Sequence, residues 1–225
     1  MKHLSILSVV LIIACTSTIP PLTLKGSAPL TDPNVKIYFD SSICGLTKEE
    51  MIIYPSAELG VSYHYSTDSI KAAFYVFNGG QKVIENGCNS DIIKSCFSQT
   101  LRDIYIMQKY GFNPDNIKSS FPQSLQEFYL MQKYGNYQMV TAEEQLYDTL
   151  RINNENIQAL FVRCTISSGD VPRSSYVLLT GYNNQIIKIR YTYKPLSSES
   201  ANVTWKCILS SLGDSIFVSK SNRNY

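Results

Sequence analysis

Alternation of apolar and polar positions organises much of this chain. Val61, Tyr63 and Tyr65 alternate with Ser62 and His64, and a second apolar stretch runs from Ile70 to Phe77. Ser66-Thr67-Asp68-Ser69 supplies a turn between them, and Gly79-Gly80 stops the second stretch. That pattern predicts a β-hairpin over 60–77. Period two returns at 157–166, 174–181 and 186–193. The linkers Ser168-Gly169-Asp170 and Gly181-Tyr182-Asn183-Asn184 are rich in turn residues, so these three strands should form an antiparallel meander. A first short strand is expected at 35–39, followed by a loop, or a loop and a helical turn, over 40–50 around Cys44.

Helical spacing takes over in the middle. Ile93, Phe97, Leu101 and Ile104 lie at i, i+4, i+8 and i+11, and Phe121, Leu125 and Phe128 repeat the pattern. The segments 93–111 and 117–135 are identical at 12 of 19 positions, including Met-Gln-Lys-Tyr-Gly at the end of each, which marks a tandem duplication. Gly111 and Gly135 suit left-handed C-caps. Proline is tolerated in a first helical turn, so the second helix is expected to start near Pro122. Thr141 and Glu144 fit a capping box, which predicts a third helix over about 142–151. Ser200 caps a last helix, 201–212, with Val203, Trp205, Ile208, Leu209 and Leu212 as its apolar stripe. The expected fold is α+β: an antiparallel sheet packed with helices, in the order hairpin, helices, three-stranded meander, C-terminal helix. It would be one domain over 35–219.

The first residues read as an address. Met1-Lys2-His3 precedes an apolar run from Leu4 to Ala14, shorter than the roughly 20 residues a spanning helix needs. Ile12-Ile13-Ala14-Cys15 resembles a bacterial lipobox, so 1–15 is expected to be a lipoprotein signal peptide with Cys15 the acylated residue. Several acyl chains hold a protein to a membrane where one is marginal. Thr16, not Asp, follows Cys15, which by resemblance favours a periplasm-facing anchor in the outer membrane. Residues 16–34 are rich in Ser, Thr and Pro and read as a tether.

Composition narrows the chemistry. With 225 residues, 44% hydrophobic and 17% charged, the chain is of ordinary globular make-up. A net charge of +2 leaves no electrostatic footprint for nucleic acid, so no nucleic-acid partner is expected. After cleavage at Cys15 the only histidine is His64, which argues against a histidine-rich metal site; no metal or cofactor is expected. His64 shares the polar phase of its strand with Ser62 and reads as solvent-facing or at an edge. Of the remaining cysteines, Cys88 and Cys96 are close in sequence and are the first pair expected to bridge. Cys164 falls in the inward phase, as a buried thiol or a partner for Cys207. Lys188 and Arg190 lie opposite Ile187, Ile189 and Tyr191, on a solvated face that suits an acidic headgroup or partner. Sixteen tyrosines are unusual. Tyr63, Tyr65, Tyr75, Tyr191 and Tyr193 belong to strands, while Tyr105, Tyr110, Tyr129 and Tyr134 on the repeated helices are candidates for a recognition surface.

Two stretches carry a family likeness. Glu58-Leu59-Gly60-Val61-Ser62-Tyr63 leads to Phe74-Tyr75-Val76-Phe77-Asn78-Gly79-Gly80, and Tyr176 to Tyr182 leads to Ile187 to Tyr193. Over 58–80 and 157–213 this order resembles the Mog1/PsbP-like group, which includes bacterial lipoproteins of the DcrB and LpqT type. The resemblance implies binding or assembly and brings no catalytic residues. With no nucleophile elbow, zinc motif or phosphate loop in the sequence, the chain is expected to be no enzyme but a lipid-anchored envelope protein with a protein partner. A periplasmic hydrolase using His64 and an immunity-type lipoprotein are the alternatives.

Overall fold

A computed structural model of the chain describes residues 22–25, 37–56, 58–110, 137–142, 146–168, 171–195, 198–212 and 216–218. The expected hairpin is there: β5 (Val61–Ser66) pairs antiparallel with β6 (Ile70–Phe77). The meander is there too, as β9 (Glu155–Ser168), β10 (Val171–Tyr182) and β11 (Gln185–Tyr193). β11 pairs with β6, which joins hairpin and meander into one antiparallel sheet. The expected first and last helices are α1 (Asp91–Tyr110) and α2 (Ser198–Ser211). The second copy of the repeat lies outside the described residues.

Four expectations are corrected. Residues 142–151 form no helix: β7 (Tyr137–Ala142) and β8 (Leu146–Ile152) both pair with β9. Leu150 and Ile152 are buried while Tyr147, Thr149 and Arg151 are exposed, the alternation of a strand covered on one face. Asn153 (φ +48) and Asn154 (φ +66) form the two-residue turn into β9, a conformation that asparagine tolerates well. The expected loop at 40–50 is instead a hairpin of β3 (Ser42–Ile43) and β4 (Leu46–Ile53). Within the segment read as a tether, β1 (Leu22–Lys25) pairs with β4. Finally, the disulfide joins Cys44 to Cys207, and Cys88, Cys96 and Cys164 are buried thiols.

The main sheet has the order β1-β4-β5-β6-β11-β10-β9-β7, with β3 beside β4 and β8 beside β9. β2 (Ile37–Phe39) pairs separately with β12 (Ile216–Val218). One face of the sheet carries Tyr63, Tyr65, Phe74, Leu178, Ile189 and Tyr191, on which α2 lays Ala201, Trp205, Ile208 and Leu212. The other carries Tyr75, Phe77, Val162, Val177 and Leu179, on which α1 lays Ile93, Cys96 and Phe97. A sheet covered on both sides has no solvated phase in its centre, and this decides the fate of its polar residues.

The tyrosines of the strands are core residues. Tyr63, Tyr65, Tyr75, Tyr191 and Tyr193 are all buried. Their hydroxyls find partners, as burial demands. Tyr191 donates to the Ala201 carbonyl at 2.8 Å, and Tyr65 to that of Asp40 at 2.5 Å. The Tyr176 and Tyr193 hydroxyls lie 3.0 Å apart. Trp205 closes the group, its ring 5.2 Å from that of Tyr176 and 5.4 Å from that of Tyr191.

Candidate functional site

Strand register gathers the polar residues of the α1-facing side. One row across β4, β5, β6 and β11 reads Glu50, His64, Ala73, Arg190. The next reads Ile52, Ser62, Tyr75, Lys188. Four of these eight positions, His64, Ser62, Lys188 and Arg190, were expected on a solvated face. The structure brings them together but closes the centre: Ser62 is 0% exposed and Lys188 only 7%. His64 and Arg190 are half-buried.

Burial forces these groups to satisfy one another. The Ser62 hydroxyl lies 2.9 Å from His64 Nε2 and 3.2 Å from the Tyr54 hydroxyl. Tyr54 is itself buried beside Ile52 and Leu59. The His64 ring meets that of Tyr75 edge-on at 6.1 Å. Lys188 Nζ lies 5.3 Å from the centre of the Tyr75 ring, where the negative face of the ring attracts a cation. Tyr75 is thus the shared wall between the histidine and the lysine.

A serine hydroxyl on a histidine nitrogen is the contact that a nucleophile and its base require. Here the hydroxyl is shared with a tyrosine and sealed from solvent, so a substrate has no approach to it as the chain stands. Lys188, likewise covered, is not the surface cation that the sequence pattern predicts. Arg190 remains the outer cation of the pair.

The other expected site residues fall elsewhere. Tyr105 and Tyr110 belong to α1, with side chains outside the described residues; Cys15, Tyr129 and Tyr134 lie outside them altogether. Cys88 and Cys96 both pack in the core beneath α1, and burial pushes the Cys88 thiol pKa up. One contributor was missed: Tyr54 gives no periodic signal, being the residue just beyond β4. Among the described residues, no three His, Cys, Asp or Glu side chains group to hold a metal ion, and no helix is long and apolar enough to cross a membrane.

No protein-family profile and no curated protein matches the sequence. Among solved structures the chain is similar to the solution structure of cyanobacterial PsbP (CyanoP) from Synechocystis. The two are 10% identical over 86% of this chain and 98% of that one, with a TM-score of 0.36. A likeness that distant carries no argument about family or function.

Proposed function

We propose that this chain is a lipid-anchored protein of the bacterial envelope, of the Mog1/PsbP-like kind, that binds a protein or another envelope component and catalyses no reaction. The observation that carries the reading is the closure of Ser62. The one serine–histidine contact described serves to satisfy buried polar groups, with Tyr54 as the third member. The Cys44–Cys207 bond supports an oxidising compartment, where such bonds form and persist. The lipobox at Cys15 supports the anchor. The duplicated helical segment, with Tyr105, Tyr110, Tyr129 and Tyr134, is the recognition element of this reading, and Arg190, half-buried on β11, is a further candidate contact.

The test uses the full chain in a bacterial host. The wild type should incorporate labelled palmitate and fractionate with outer membrane, and Cys15→Ser should do neither. A Cys15→Ser protein that stays membrane-bound and is cleaved as before overturns the anchor. Deleting 112–135, one whole repeat, should leave a folded domain by circular dichroism with an altered set of in-cell cross-links. An unfolded product defeats the recognition role.

The 2.9 Å contact between Ser62 and His64 also supports a second reading, a periplasmic hydrolase. That reading requires Ser62 to open. Labelling of Ser62 by a fluorophosphonate probe, lost in His64→Ala, would establish it.

A further inference from the structure

One end of the main sheet is β1, and the other is made by β7 and β8 together. Residues 155–161 of β9 pair with β8 and residues 164–168 with β7, both on the edge away from β10. Among the described residues β8 pairs with β9 alone. We propose that the outer edge of β8 is a pairing surface for a second copy of this chain, and that Asp148 sets its strength. This stands apart from the lipid anchor and from the recognition role of the repeat.

The backbone of β8 fixes which groups face outward. Asn153-Asn154 is a two-residue turn, so its flanking pair, Ile152 and Glu155, bond each other across it. The register runs unbroken over 146–152, so Leu150 and Asp148 also turn their N–H and C=O groups toward β9. Tyr147, Thr149 and Arg151 turn theirs away. A hydrogen bond agrees with this: the Thr149 N–H donates to Asp148 Oδ1, at 2.8 Å in an exposed position. The side chains of the same three residues are exposed, Tyr147 by 64%.

That edge is complementary to itself. A twofold axis through Thr149, normal to the sheet, lays β8 antiparallel to its own copy with both exposed faces on one side. Thr149 then exchanges backbone hydrogen bonds with Thr149 of the second copy, and Tyr147 with Arg151, twice over. Each guanidinium stands across from a tyrosine ring, a pairing that planar cations favour. Arg151 commits one of its five N–H donors to Asn154 Oδ1 at 3.1 Å, within its own turn.

Asp148 opposes this union in two ways. Its carboxylate holds the Thr149 N–H that the second copy needs. On the α2-facing side it would also stand across from Leu150 of the second copy, a residue buried in each chain. Charge on an edge strand is a common device against such pairing. Two strands of seven residues also bury less than the roughly 1,200 Å² of a stable interface, so the wild-type contact is weak and transient.

Sedimentation velocity of the full chain, over about a hundredfold range of concentration up to about 1 mM, reads the pairing. Asp148→Ala should tighten it by about tenfold or more over wild type, by releasing the Thr149 N–H from a charged acceptor. Adding Thr149→Pro to Asp148→Ala should return a folded monomer, since proline removes an N–H that β9 does not use. Adding Tyr147→Lys instead should also abolish pairing, by setting a lysine opposite Arg151. Arg151→Glu on top of that should restore it, because the two charges then attract across the axis. The rescue tests the register and does not depend on proline being tolerated. An Asp148→Ala protein that associates no more than wild type overturns the inference. So does association that survives Thr149→Pro, which belongs to another surface, or a charge swap that rescues nothing.

Discussion

Cys44 and Cys207 lie 163 residues apart in sequence and 5.8 Å apart between Cα atoms, joined by the one disulfide among the described residues. Cys44 occupies the first position of the β3–β4 turn at φ +50, followed by Gly45 at φ +79. Cys207 belongs to α2, whose Trp205 and Ile208 are in the core on either side of it. The bond therefore fastens the last helix to the β4 side of the sheet, near the opposite end of the chain from where α2 is made.

Closing a loop of that length should matter chiefly through the unfolded chain, by up to about 5 kcal/mol. Cys207→Ser, or reduction of the wild type, is expected to lower the urea midpoint correspondingly, and Cys44→Ser with Cys207→Ser should match reduction. A non-reducing peptide map should show the 44–207 pair. A Cys88–Cys96 peptide in that map would contradict the assignment.

Gly60 and Gly45 should respond differently to alanine. Both have positive φ, which costs a side chain about 1 kcal/mol. At Gly45 an added Cβ meets nothing within 4 Å, so Gly45→Ala should cost little more than that. At Gly60 it would sit 1.9 Å from the Val76 carbonyl oxygen. Gly60→Ala must push β5 away from β6 and should cost about 3 kcal/mol or more by denaturant titration.

Alkali should unfold the domain from the tyrosines. Burial, before any other cause, holds the Tyr65 and Tyr191 hydroxyls well above the ordinary tyrosine range. The unfolded chain releases these protons from about pH 10, while the folded chain keeps them. Above that pH the unfolded state binds fewer protons, so stability falls as pH rises, and below it this contribution is fully present. Tyrosinate absorbance from these two residues should therefore appear together with the loss of circular dichroism, and not before it.

Removal of the Ser62 hydroxyl separates packing from chemistry. Ser62→Ala removes a fully buried hydroxyl and its two hydrogen-bond contacts, to Tyr54 and to His64, and should cost about 1–2 kcal/mol of stability. Under the binding reading it should leave cross-linking to envelope components unchanged at temperatures where the domain is folded.

Local patterns carried a good part of this fold. The β5–β6 hairpin and the meander of β9 to β11 follow from apolar spacing and turn residues alone, and so does most of the α2 stripe, although Val203, expected in it, is 66% exposed and Ser200, expected as its cap, lies inside the helix. Where that reading failed, the cause was local too. In β4 the inward residues are Leu46, then Met51 and Ile53, because a bulge between Lys48 and Glu50 reverses the phase of the strand. β8 was legible: Asn153-Asn154 is the same dipeptide as Asn183-Asn184, which turns β10 into β11, but the capping pattern at Thr141 outweighed it.

The sequence by itself determined the β5–β6 hairpin, the β9–β11 meander, the two helices α1 and α2, the repeat, and which residues of those strands share an apolar side. Only the tertiary structure decided that the second side is buried as well, that Ser62 and His64 bond each other beneath it, and that Cys44 meets Cys207. Periodicity records whether a side chain points one way or the other. Which element covers that side, and which distant residue lies across from it, depends on strand order and chain closure, and no window of neighbouring residues contains that information.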